Sequence, residues 1–148
     1  MNVEELLNVN VEELADSLRL AVGRLARQLR QQSQGGLTPS QRSVLATLFR
    51  HGPVTMGVLA EFEGISRPST TGIVSRLQER GLVERRDDAD DGRCAVVGLT
   101  PSGSAEVERR RSKRTAFLVQ RLEGLDDDER AALAAAIPML DRLLDDPR

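Results

Sequence analysis

Cysteine and histidine each occur once in this 148-residue sequence, and tryptophan and tyrosine not at all. A single Cys excludes an intrachain disulfide framework. One His with one distant Cys offers no zinc-type ligand cluster. Aromatic residues make up only 2% of the chain, so the stacking platforms that grip single-stranded nucleic acid are missing. No apolar run approaches the roughly 20 residues of a membrane-spanning helix, and no signal-peptide pattern opens the sequence. A soluble, cytoplasmic protein with no membrane partner is expected. No Gly-rich phosphate loop, Ser nucleophile elbow or His-containing acid/base constellation is present. The acidic run from Asp87 to Gly92 superficially matches a calcium loop. Aligned on Gly92, however, the third ligand position is Ala89 and the twelfth is Gly98, which breaks the ligand set. No enzyme activity, metal or cofactor is expected.

What the chain does have is charge, unevenly placed. The net charge is −2. Residues 1–16 carry five acids and no base, and residues 122–148 eight acids and three bases. The middle, residues 17–121, carries eighteen bases against ten acids, and Lys113 is the only Lys. A basic middle between acidic ends suits a nucleic-acid reader whose ends serve another purpose. The length suits one compact domain.

Leu7, Val11, Leu14, Leu18, Val22, Leu25 and Leu29 step by three and four, close to a heptad seam. They predict a long first helix, ended by Gln31–Gly36, that serves either an internal core or a second subunit. Thr38-Pro39-Ser40-Gln41 is a helix start with a capping box. Val44, Leu45, Leu48 and Phe49 form that helix's buried face, and His51, structural or solvent-facing, lies at its end. Val54-Thr55 reads as a stub of sheet, with Thr55 capping a short helix whose Leu59, Ala60 and Phe62 face inward. Glu63-Gly64-Ile65 turns the chain into Ser66.

The stretch from Ser66 to Thr100 is the informative one. Ser66 is an N-cap, Pro68 sits in the first turn, and Gly81 is a stop. Ile73, Val74 and Leu77 form one face. Pro68, Thr71, Gly72, Ser75 and Glu79 form the other, with Arg67, Ser69 and Arg76 on its shoulders. Small, polar and cationic groups of this kind can approach base edges and phosphates in a major groove; an ordinary amphipathic surface helix would read the same way. Two strand-like runs follow, Val83–Arg86 and Ala95–Leu99, joined through the turn dipeptide Asp91-Gly92. Arg93 follows that turn, where it suits either minor-groove insertion or an ion pair with Asp91. A polar helix flowing into a hairpin is the reading end of a winged helix-turn-helix.

Thr100-Pro101 starts another long helix. Its run Arg109–Arg114 reads as a solvated or intersubunit face in preference to a phosphate contact. Asp126 and Glu129 open a last helix by a capping box, and Pro138 should kink it. Leu133, Ile137, Leu140 and Leu144 leave an apolar stripe there. With the N-terminal stripe it exceeds what a lone small domain covers comfortably, and a symmetric dimer would bury both.

The run ISRPST…L…RGLVERR…DGR…V.LT, with Leu59-Ala60 before it and Thr100-Pro101-Ser102-Gly103 after it, closely resembles the MarR (multiple-antibiotic-resistance regulator) family of bacterial transcription factors. The matching core runs from roughly Thr38 to Gly103, and the flanking helices fit by length and pattern. The resemblance implies a mainly α fold with a small β-hairpin wing. It divides the single domain, 1–148, into dimerisation helices (1–32 and 101–148) and a winged helix-turn-helix lobe (38–100). It implies a homodimeric regulator of double-stranded DNA, most simply a repressor facing a palindromic operator, and a small aromatic or phenolic ligand between the two regions. DNA reading falls to Pro68, Ser69 and the residues around them, Arg67, Thr70, Thr71, Ser75 and Arg76. Arg93 enters the minor groove, and Arg85 and Asp91 brace the wing. Relatives often carry an Arg where this chain has Gly72, so base readout should shift to Arg67, Ser69, Thr71 and Ser75, with Arg76 on phosphate. Asp87, Asp88 and Asp90 should point away from DNA.

Two other readings compete. The acidic wing and negative total charge would suit a winged-helix module that binds protein. Cys94 would allow a thiol-based redox switch, but no Cys precedes it and no resolving Cys shares the chain; a lone Cys on a strand is also an ordinary packing residue.

Overall fold

The structure, a computed structural model, describes residues 10–87 and 95–145. Arg93, Asp91, Cys94, Asp88 and Asp90 therefore lie outside the described residues, as does Leu7. Six helices and three strands are present among the described residues: α1 (Val11–Gln32), α2 (Pro39–His51), β1 (Val54–Thr55), α3 (Met56–Glu63), α4 (Arg67–Glu79), β2 (Val83–Asp87), β3 (Ala95–Leu99), α5 (Pro101–Glu123) and α6 (Asp127–Leu144).

The helix starts follow from side chains that satisfy the orphan amides of each first turn. Thr38 accepts from the Gln41 amide at 3.2 Å while Gln41 Oε1 accepts from the Thr38 amide at 3.1 Å, closing the box that begins α2. Asp126 and Glu129 do the same for α6, at 2.8 and 3.0 Å. Thr55, Ser66 and Thr100 each accept one amide at the start of α3, α4 and α5. Helix α6 continues through Pro138, whose ring nitrogen has no hydrogen to donate to the preceding turn.

The three strands form one antiparallel sheet in the order β1-β3-β2. Val54 pairs with Val97 on one side of β3, and Arg85 with Val97 on the other. The stub at Val54-Thr55 thus anchors the hairpin to the helical lobe. Val44, Leu45, Leu48, Leu59, Val74, Leu77 and Val97 are fully buried where α2, α3, α4 and the sheet meet. Each such side chain stabilises by about 1.5–3 kcal/mol relative to exposure.

Two inward assignments need correction. Phe62 is 50% exposed, and its ring stacks on His51 with centroids 4.2 Å apart. Phe49 also stays partly exposed. The core positions of these short helices are filled by Leu48, Leu59 and Ala60, one or two residues away, leaving the aromatic rings at the rim.

Outside this lobe the packing is thinner. Helix α1 lies against α5, yet neither α1 nor α6 holds a fully buried residue. Val11, Leu14, Val22 and Leu25 on α1, and Leu133, Ile137 and Leu144 on α6, are all exposed in the single chain.

Candidate nucleic-acid interface

Helix α4 is fixed from its inner face. Val74 and Leu77 are buried against the core, and Thr70, at 0% exposure, joins them. The Thr70 hydroxyl donates to the Ser66 carbonyl at 2.9 Å. Thr70 therefore cannot present its side chain to DNA, which corrects its place among the reading residues. Its helical position lies one turn before Val74, on the inward stripe.

The outer face carries the rest of the set. Arg67, Pro68, Ser69, Ser75 and Arg76 are exposed and Thr71 is half-buried. Several of their polar groups are already oriented. The Ser66 hydroxyl donates to Ser69 Oγ at 2.9 Å and accepts from the Ser69 amide at 3.2 Å. Thr71 donates to the Arg67 carbonyl at 2.9 Å, so its oxygen remains available only as an acceptor. The Arg67 guanidinium lies over Gly57 near the start of α3, 3.4 Å from where a Cβ on that glycine would be. The open backbone at Gly57 makes room for the Arg. Gly72 meets nothing within 4 Å, so the middle of the outer face is a shallow gap flanked by Arg67 and Arg76.

Helix α3 is held beside α4 from behind. Glu63, its last residue, accepts from Ser43 at 2.6 Å and Thr47 at 2.7 Å, both on α2. Arg85 and Arg86 extend along exposed β2, and Arg86 pairs with Glu84 at 2.9 Å. Asp87 ends that strand, exposed.

The basic run on α5 differs from expectation. Arg110 is only 5% exposed. It donates to the carbonyls of Ser33 and, at 2.7 Å, Gly35, and to Glu106 at 2.8 Å. Arg114 donates to Ser33 Oγ at 2.9 Å. Two members of the run therefore point into the fold because the loop after α1 offers backbone oxygens. Arg109 and Arg111 keep the solvated position. Hydrogen bonds from Arg109, and then Arg110, hold the Glu106 carboxyl below the usual range against its partial burial. Partial burial together with Arg110, Arg42 and Arg30 weakens the hold of Arg114 on its proton. Between α2 and α5 an open groove of about 630 Å³ is lined by Leu45, Phe49, Val107 and Leu118 and rimmed by Arg42 and Arg111.

A partly exposed cationic helix held by a three-helix lobe and followed by a hairpin is the arrangement of a winged helix-turn-helix. The model of the MarR family matches residues 35–93. An uncharacterized HTH-type transcriptional regulator of Mycobacterium leprae is 40% identical over 134 residues, covering 90% of this chain and 94% of the relative. The chain belongs to the MarR family. Solved structures agree with the MarR fold along nearly all of its length. A MarR family protein from Bacillus stearothermophilus is 26% identical with a TM-score of 0.76, covering 97% of this chain and 98% of the other. A mutant of Staphylococcus aureus MepR bound to an oligodeoxyribonucleotide is 22% identical with a TM-score of 0.71, covering 89% and 98%; at that identity it speaks for the fold. This MarR protein is thus a helix-turn-helix transcriptional regulator with a mainly helical fold and a small three-stranded sheet. No described helix is long and apolar enough to cross a membrane.

Proposed function

We propose that the protein is a cytoplasmic homodimer that represses its own or adjacent genes by binding a palindromic double-stranded operator. The observation that carries this reading is α4: buried Thr70, Val74 and Leu77 on one side, exposed Arg67, Pro68, Ser69, Ser75 and Arg76 on the other. In this reading Arg67, Ser69, Thr71 and Ser75 face base edges, and Arg76 takes a phosphate. Arg93, braced by Arg85 and Asp91, enters the minor groove. The oligonucleotide bound to MepR is consistent with the same use of the fold.

Residues 1–32 and 101–148 form the dimer. The support is the exposed apolar stripes of α1 and α6, too extensive to leave in water. Two copies would set their α4 helices one DNA turn apart, roughly 34 Å. The groove between α2 and α5, apolar on its floor and basic on its rim, suits an aromatic ligand with an anionic or phenolic group. Such a ligand releases DNA only if it favours a conformation with the wrong half-site spacing.

The test is fluorescence anisotropy with duplex from the gene's own upstream region and a scrambled duplex, each at two salt concentrations. Affinity for both should fall with salt, while the ratio between them survives. Equal, weak binding to both would refute autoregulation. It would leave a distant operator or a protein partner, separated by selection from fragmented genomic DNA.

A further inference from the structure

The five residues Ser33–Leu37 join α1 to α2, and their backbone oxygens are taken by arginines from three other places. Arg110 of α5 donates to the Ser33 and Gly35 carbonyls. Arg80, the residue that ends α4, donates to the Gly36 carbonyl. Arg42 of α2 donates to the Leu37 carbonyl at 2.8 Å. Arg114 holds the Ser33 hydroxyl. A surface loop ordinarily turns its carbonyls to water. Here they face inward as a row of acceptors, and the row stands where a carboxylate or other anion would otherwise balance the cations.

The loop is built for this. Gly36 has φ +68°, a left-handed conformation that L side chains rarely adopt, and a Cβ there would lie 3.0 Å from Arg80 Nη2. The Arg80 guanidinium thus needs both the bare backbone of Gly36 and its turn. Arg110 is the more constrained partner: its planar fork spans two carbonyls and Glu106 at once, which an ammonium group could not do.

The loop is where the dimer helix α1 passes into the DNA-reading lobe. Through it, the end of α4 is hydrogen-bonded to the same short segment as α5. We propose that Ser33–Leu37 is the joint that sets the angle of the reading helix against the dimer helices, with Arg80 and Arg110 as its positioning residues. Movement of α5 relative to α1 must shift the Ser33 and Gly35 carbonyls, and Gly36 carries that shift to Arg80. This proposal rests on α4 being the DNA-contacting helix, but the joint itself can be measured without DNA.

The experiment uses the full chain carrying Cys94→Ser, with spin labels at Gln28→Cys on α1 and Gln78→Cys on α4, both exposed positions. Labelled chain is diluted with excess unlabelled chain, and electron–electron double resonance then reads the intrachain distance whatever the oligomeric state. Gly36→Ala and Arg80→Ala should each broaden that distribution while circular dichroism remains helical. Arg80→Lys, which can still reach one carbonyl, should recover most of the parent's width. Unlabelled variants are then titrated on operators whose half-site spacing is changed by one base pair. If the aligned geometry falls to about a tenth of the population, affinity for the correct spacing drops roughly tenfold, and discrimination between spacings weakens with it. Gly36→Ala is the decisive variant here because it keeps every cation. A distance distribution unchanged in both variants overturns the joint. A broadened distribution with unaltered spacing preference overturns its role in positioning. Should Gly36→Ala fail to fold, Arg80→Ala and its Lys rescue decide alone. If the parent fails to bind DNA selectively, the operator reading falls and the distance measurement still decides the joint.

Discussion

Gly103 sits in the first turn of α5, and replacing it by Ala is the most severe single-methyl change the structure offers. A Cβ at that position would lie 1.9 Å from the Leu82 carbonyl oxygen, 3.0 Å from its carbon and 3.2 Å from Leu99 Cδ2. The nearest obstacle is backbone, so no side-chain rotation relieves it. Reaching an ordinary 3.4 Å contact requires the start of α5 to withdraw by about 1.5 Å. The same Leu82 oxygen accepts from the Thr100 amide at 3.2 Å. Thr100 in turn caps Gly103 and donates to the Gly81 carbonyl at 2.6 Å. Withdrawal therefore strains three bonds that tie α5 to the end of α4. Overpacking costs about 1–3 kcal/mol, and a lost cap about 1 kcal/mol. A weakened backbone bond adds about 1 kcal/mol, whereas better helix propensity returns about 0.5–1 kcal/mol. The net is about 3 kcal/mol, a Tm lower by roughly 10 °C for a chain of this size. With no Trp or Tyr, thermal melts are followed by far-UV circular dichroism, at matched protein concentration because a dimer's melting depends on it. Gly23→Ala on α1 is the control: it too is helical and meets nothing within 4 Å, so it should be neutral or slightly stabilising. A Gly103→Ala protein melting within two or three degrees of the parent, by the same roughly 3 °C per kcal/mol scale, would refute the packing argument.

Three further outcomes are expected. Arg76→Ala should weaken binding to specific and scrambled duplex alike and lower the salt slope by about one unit, as for loss of a phosphate contact; anisotropy across a salt series checks it, and a changed base preference would instead place Arg76 on a base. Glu106 stabilises the fold while ionised, and its folded value lies below the ordinary one, so its contribution is complete above about pH 4.3 and is lost as pH falls through the lower folded value. Glu106→Gln should accordingly be less stable than the parent at pH 7 in urea melts, with the gap closing in acid; a gap independent of pH would contradict this. Ile137→Asp, on the exposed stripe of α6, should convert dimer to monomer in analytical ultracentrifugation at micromolar concentration without loss of the helical lobe, and an unchanged mass would remove α6 from the interface.

Local signals made much of the architecture legible. Thr38, Thr55, Ser66, Thr100 and Asp126 each cap a helix within three residues of themselves. A side chain that satisfies an amide so close by announces itself in sequence. The wing strands are equally local: Val83–Asp87 and Ala95–Leu99 fall within a residue of the runs that predict them. Helical periodicity was less exact about which neighbours fill the core. Thr70 is buried and Phe62 is not, because a stripe one turn wide admits residues on either side and the partner helices choose among them.

The arginine joint was illegible for a different reason. Reading a basic run invites a search for acids that could answer it, and Arg109–Arg114 has only Glu106 and Glu108 nearby in sequence. The groups that answer Arg110 and Arg80 are backbone carbonyls, 77 and 44 residues away along the chain. Every residue has a carbonyl, so sequence does not mark which ones are turned inward. The available trace was the adjacent pair Gly35-Gly36 between two helices, a place where the chain can turn its oxygens to one side without a Cβ in the way. Satisfying a buried guanidinium with carbonyls also has a mechanical consequence. A carboxylate partner rides on a rotatable side chain and can follow a moving Arg; a carbonyl can follow only if the backbone moves. Displacement at α5 thus becomes displacement of the loop and of whatever else holds it, which here is the end of the helix that faces DNA.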